Sequence, residues 1–240
     1  MANPGGFGLR PLGTRGSHTD SGAQWKYFID PTDISPIYYG EPVIAMADAS
    51  TGQTTGYIKS LRSAVNGGNA KLTAYSPMLG VFLGCRYISN NSVQAQDYAN
   101  PARIFWPGSA IASVPSGTQV IALVSVDPNQ RYLAAIGSST PTTGSTILNC
   151  LNYANMAFGS EANQSECNNG GYSTAAIDGN TITGFSGTST TGSVQLFIDG
   201  LATPDSTASL TTTPAGTQYV VYLNNIVAFK YNQLTASNAA

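Results

Sequence analysis

Apolar runs in this sequence are short, and a turn residue ends nearly every one of them. The 26 glycines and 13 prolines, with frequent Asn and Asp, leave no stretch where a 3.6-residue period persists for several turns. What remains are alternating or wholly apolar segments of strand length: 38–46, 80–88, 118–126, 131–136, 194–198 and 218–229. Such runs, separated by turn signals about every ten residues, belong to an all-β barrel or sandwich.

Within that pattern the details are specific. In Gly80–Ile88 strict alternation places Val81, Leu83, Cys85 and Tyr87 on one face and Phe82, Gly84 and Arg86 on the other. Thr118–Val126 is apolar on both faces, as expected of a central strand covered by two layers. Asp127-Pro128-Asn129-Gln130 has Asp first and Pro second, a type I turn signature, and predicts a hairpin between the flanking strands. One helix candidate competes with strand: in Ser145–Phe158 the spacing of Ile147, Leu151, Ala154 and Phe158 suits a helix face, with Ser145 as cap and Gly159 as stop. The predicted architecture is an all-β barrel or sandwich, of jelly-roll or β-tulip kind, with an extended N-terminal arm and at most one short helix. Residues 1–36 read as the arm, 37–140 as a β-barrel or sandwich domain, 141–235 as a second β-rich region or part of the same domain, and 236–240 as a tail. The arm is glycine-rich, yet Phe7, Leu9, Trp25, Tyr27, Phe28 and Ile29 are large apolar groups that a flexible tag would not carry.

Charge excludes whole classes of partner. Only 9% of the residues are charged, against about 25% in an ordinary soluble domain. Ten Lys and Arg at a pI near 5.2 are too few to neutralise a nucleic-acid backbone, so no nucleic-acid partner is expected. Disorder driven by charge is excluded too, since 42% hydrophobic content at net charge −2 occupies the opposite corner of composition space. The charges are also polarised. Residues 1–131 hold nine bases and seven acids, whereas 132–229 hold no base and five acids, leaving hydroxyls and amides to keep that half hydrated. Such a molecule suits seating by its N-terminal side with its C-terminal side toward solvent. No stretch approaches the roughly 20 apolar residues of a membrane span, and Met1–Gly8 lacks the charged and apolar regions of a secretory signal. Three cysteines without CxxC spacing point to free thiols, with a Cys150–Cys167 disulfide as the alternative.

Catalytic chemistry finds little to use. His18 is the only histidine, and no serine sits in a Gly-x-Ser-x-Gly elbow. Neither Glu161 with Glu166 nor Asp30 with Asp33 forms a recognisable acid–base pair. Asp178-Gly179 and Asp199-Gly200 read as turn dipeptides, without the spacing of a calcium loop. No catalytic residue, metal site or cofactor is expected. The 13 tyrosines suit interfaces, where a ring with one hydroxyl covers area at small entropic cost.

Several segments together resemble a family. Met1-Ala2-Asn3-Pro4-Gly5-Gly6-Phe7-Gly8-Leu9-Arg10-Pro11, then Ile37-Tyr38-Tyr39-Gly40-Glu41-Pro42-Val43, Gly80–Tyr87, Val124–Asp127-Pro128 and Tyr219-Val220-Val221-Tyr222-Leu223-Asn224-Asn225 are similar, in this order, to capsid decoration (cement) proteins of tailed bacteriophages, particularly those of aquatic hosts. The resemblance implies a non-enzymatic β-rich homotrimer, made in the bacterial host cytoplasm and seated on the outer surface of the virion, where it grips neighbouring major capsid proteins. Phe7, Leu9, Arg10 and Trp25 are then the candidate docking residues. The alternative is a carbohydrate-binding or adhesin-type β module of a virion fibre or tail, for which Ser/Thr/Asn-rich loops and exposed Tyr are suited.

Overall fold

The computed structural model describes residues 7–14, 24–47, 54–62, 78–87, 103–137, 149–157, 171–182, 195–202 and 216–224. Twelve strands and almost no helix run through them, so the chain is all-β. Five strands close a barrel in the order β2 (Gln24–Ile29), β4 (Thr54–Ser60), β3 (Pro42–Ala47), β5 (Gly80–Arg86), β6 (Val120–Ser125). A five-stranded antiparallel sheet lies against it, in the order β1 (Arg10–Thr14), β7 (Gln130–Ala135), β12 (Gln218–Leu223), β11 (Leu196–Leu201), β8 (Asn152–Ala154). A small ladder of β9 (Met156–Ala157) and β10 (Ala176–Ile177) joins β7 through an Ile136–Ile177 bridge. Among the described residues are also a short α-helical turn, α1 (Ser109–Ala112), a 3-10 turn at Gly179–Thr181, and a helical start at 61–62 just after β4. No helix among the described residues is long and apolar enough to cross a membrane.

Two cores follow from strand alternation. Inside the barrel Ile29, Val43, Ile58, Phe82, Val120, Ala122 and Val124 meet Trp106 and Tyr87. Tyr87 and Trp106 pack edge to face at 5.1 Å, a favoured aromatic geometry. Between barrel and sheet a second core joins Ile44, Leu61, Met78 and Val81 to Leu9, Tyr132, Leu196, Tyr219 and Val221. Val43 and Ile44 are adjacent in β3 and serve different cores, which is why β3 is apolar on both faces. Each such side chain contributes roughly 1.5–3 kcal/mol on burial.

Two sequence expectations, the Asp127 hairpin and the alternation of Gly80–Ile88, change against this architecture. The turn at Asp127 forms: Gln130 N–H donates to the Asp127 carbonyl at 3.1 Å, and Asn129 N–H donates to the Asp127 carboxylate at 2.8 Å. Its strands, however, do not pair. β6 bonds to β2 and β5 while β7 bonds to β1 and β12, so the turn is a corner from barrel to sheet. The Tyr132 hydroxyl, donating to Ser125 Oγ at 2.9 Å, ties that corner. In β5 a register shift between Phe82 and Gly84 breaks the alternation. Phe82, Cys85 and Tyr87 enter the barrel core, whereas Val81 and Leu83 face the sheet; a bulge moves every later side chain to the other face. The described part of the helix candidate Ser145–Phe158 is strand, because β8 pairs with β11 and β9 with β10, and those ladders outweigh a weak helical period. Finally, the three segments interleave: the sheet takes β1 from residues 1–36, β7 from 37–140, and β8, β11 and β12 from 141–235. The tail 236–240 lies outside the described residues.

Candidate functional site

The site is built where the N-terminal strand crosses the Tyr38–Glu41 turn. Gly8 N–H donates to the Ala175 carbonyl at 3.1 Å, Leu9 N–H to Gly40 at 2.8 Å, and Gly40 N–H to Phe82 at 2.9 Å. Gly40 has φ +80, and a Cβ there would lie 3.0 Å from the Leu9 backbone, so no other residue lets the two chains cross this closely. Tyr39 is clamped on its other side: its N–H donates to Gly171 O and its carbonyl accepts from Ser173 N–H, both at 2.9 Å.

These bonds fix a cluster at the surface. The Arg10 guanidinium lies over the Phe7 ring at 4.6 Å and near the Tyr172 ring at 5.5 Å. Tyr39 meets Tyr172 edge-on at 5.5 Å. Arg10 is exposed, Tyr172 is 41% exposed, and Phe7 is half-buried. The Tyr39 hydroxyl is pushed above its ordinary pKa, first by burial and then by Tyr172, with Arg10 opposing; at neutral pH it is a neutral hydrogen-bonding group. Among the described residues Arg10 has no carboxylate partner, so its charge is offered to whatever approaches.

Beneath the cluster a buried network holds the Tyr38–Glu41 turn rigid. Tyr38 stacks on Phe105 at 5.9 Å and covers the Arg62 guanidinium at 5.1 Å. Arg62 Nε bonds Glu41 Oε1 at 3.0 Å, the two side chains being 5% and 1% exposed. Ser60 Oγ donates to the same oxygen, Tyr38 N–H donates to Oε2 at 2.8 Å, and Arg62 also donates to Pro36 O at 3.2 Å. Burial raises the Glu41 pKa, outweighing the opposing pull of Arg62, Ser60 and the Tyr38 amide. Gly171 seals the layer: its φ is +78, and a Cβ would meet the Phe105 ring at 2.4 Å.

The four predicted docking residues therefore part company. Phe7 and Arg10 come together in the cluster. Leu9 does not join them: it is fully buried in the core between barrel and sheet, in the irregular stretch before β1 where Gly8 has φ +76, while Arg10 is exposed. Trp25 lies on β2 in the barrel, 63% exposed. Tyr172 and Tyr39 were not singled out by sequence, since the bridge uniting them spans more than 130 positions; the Tyr38-Tyr39-Gly40-Glu41 segment was the available signal.

The remaining candidate groups take structural places. Asp30 accepts from Thr32 N–H and Oγ1 at 2.8 and 2.7 Å, and Asp33 accepts from Ser35 N–H at 2.8 Å; both carboxylates close local turns. Asp178-Gly179 leads into the 3-10 turn, and Asp199-Gly200 lies inside β11 at a register shift, where a turn was expected. Cys85 and Cys150 are free thiols, while Cys167, His18, Glu161 and Glu166 lie outside the described residues. No group of three metal-ligating side chains occurs among the described residues. Comparisons with protein-family models, curated proteins and solved structures find no match to the chain.

Proposed function

We propose that the chain is a decoration protein of a tailed-phage head, a homotrimer on the outer capsid surface that bridges neighbouring major capsid proteins and has no enzymatic role. The observation that carries this reading is the solvent-facing cluster of Phe7, Arg10 and Tyr172, held by the chain's own backbone bonds. Arg and Tyr dominate the energetics of protein interfaces, and a preordered anchor loses little entropy on docking. A surface with few charges loses water over a wide contact at modest cost. Repetition around a three-fold axis and across a shell multiplies a weak contact into stable occupancy.

The test is sedimentation of the purified chain, alone and with emptied heads of the phage whose genome encodes it. The reading expects a trimer that co-sediments at fixed stoichiometry and lets the heads survive harsher heating. Arg10→Ala combined with Tyr172→Ala should lower occupancy several-fold while leaving the fold intact, because an exposed cation–π contact contributes only about 0.5–1 kcal/mol to stability. A monomer that ignores heads, or full occupancy by the double variant, overturns it.

A further inference from the structure

A groove on the barrel is not used by the docking reading. β2 and β4 run parallel and pair only at Phe28–Tyr57 and Ile29–Ile58. Ile29 and Ile58 point into the barrel core, so Phe28 and Tyr57 stand side by side on the outer face. There a groove of about 330 Å³ opens, whose lining includes Phe28, Tyr57, Pro31, Thr55, Thr118 and Gln119, with no charged side chain. Phe28 is 41% exposed, so its ring is open to a ligand in the groove. Thr55 Oγ1 is engaged with Met46 O at 3.1 Å. The Tyr57 and Thr118 hydroxyls and the Gln119 amide have no hydrogen-bond partner among the described residues, so an aromatic face is ringed by three available polar groups.

We propose that this groove binds one or two residues of a neutral saccharide. A pyranose has an apolar C–H face and a hydroxyl edge, and the groove has the matching pair: the Phe28 ring for the face and Tyr57, Thr118 and Gln119 for the edge. An anion or cation would lose its hydration without a counter-charge, and a wholly apolar ligand would bury the three polar groups unpaired. The volume lies at the small end of the range for small-molecule sites, about 300–1,000 Å³, which suits one or two sugar rings. Nothing in this argument depends on head binding, and the site works on the isolated protein.

The experiment uses the full chain and saturation-transfer NMR with titration calorimetry. The probes are maltotriose, cellotriose, mannotriose and triacetylchitotriose, with sialyllactose and a heparin disaccharide as charged comparators. The proposal expects saturable binding of at least one neutral probe at roughly 0.1–10 mM. Phe28→Leu and Gln119→Ala should each weaken it roughly fivefold or more, and Trp25→Ala should not. Gln119 is exposed ahead of β6, so that variant keeps the fold, checked by an unchanged circular dichroism spectrum. Absence of neutral-sugar binding at about 10 mM, preference for the charged comparators, or indifference to both substitutions overturns the proposal.

Discussion

Arg62→Met should destabilise the protein in a way that depends on pH. The guanidinium is 5% exposed and bonds a carboxylate that is 1% exposed, so its removal leaves Glu41 as a buried anion with only Ser60 and the Tyr38 amide to hold it. Breaking a buried pair from one side costs roughly 3–5 kcal/mol. Against a total stability of about 5–15 kcal/mol this is large, and for a chain of this length it lowers Tm by roughly 10 °C. The pH sign follows from Glu41. Burial already raises its folded-state pKa above the ordinary 4.5, and Arg62 is the strongest influence pulling it down; without Arg62 the pKa rises further. The folded variant then binds a proton that the unfolded chain has released. Its stability is highest below about pH 4.5 and falls as pH rises through the folded-state pKa. The deficit of Arg62→Met relative to the parent should therefore be small near pH 4.5 and several kcal/mol near pH 7.5, read by urea unfolding at both values. Adding Glu41→Gln should recover most of the loss at neutral pH. A deficit equal at both pH values, or a double variant no better than the single one, would refute the reasoning.

Three further outcomes are expected. Gly171→Ala forces a Cβ to within 2.4 Å of the Phe105 ring at φ +78; strain and displacement together should cost roughly 2–4 kcal/mol, and an unchanged thermal midpoint would contradict the fit. Deleting residues 1–14 removes β1 and the fully buried Leu9; the loss should exceed the roughly 2–5 kcal/mol of a single large-to-small core change, seen as a lowered urea midpoint before any capsid is added. The Cys85 thiol, pushed up to about 12 chiefly by burial, should resist a disulfide reagent at neutral pH until the chain is unfolded, whereas half-buried Cys150, also raised by burial, should react in the folded state more slowly than in the unfolded chain but faster than Cys85; immediate labelling of Cys85 would contradict its place in the barrel core.

Legibility in the sequence followed the range of the interactions. The apolar segments at 80–88, 118–126, 131–136 and 218–229 correspond to β5, β6, β7 and β12, because their side chains record burial directly. β2 was hidden in a stretch whose neighbours are glycine, and β8 and β9 in one with a weak helical spacing; both are strands because partners distant in sequence accept their hydrogen bonds. In the candidate site Phe7 and Arg10 were legible as large groups in a glycine-rich segment. Leu9 stands between them and is set apart by the local backbone, where Gly8 has φ +76 just before β1 begins.

By itself, then, the sequence determined the class of structure: turn residues at close intervals disfavour long helices, and apolar runs of strand length demand sheets. Only the tertiary structure decided which strands pair. The Asp127 turn is encoded locally, but whether it closes a hairpin or passes from barrel to sheet depends on the edges offered by β1, β2, β5 and β12. Backbone hydrogen bonds are the same for every residue type, so pairing is selected by the burial that the whole assembly of strands achieves. The union of Arg10 with Tyr172, and of Phe28 with Tyr57, is a consequence of that selection.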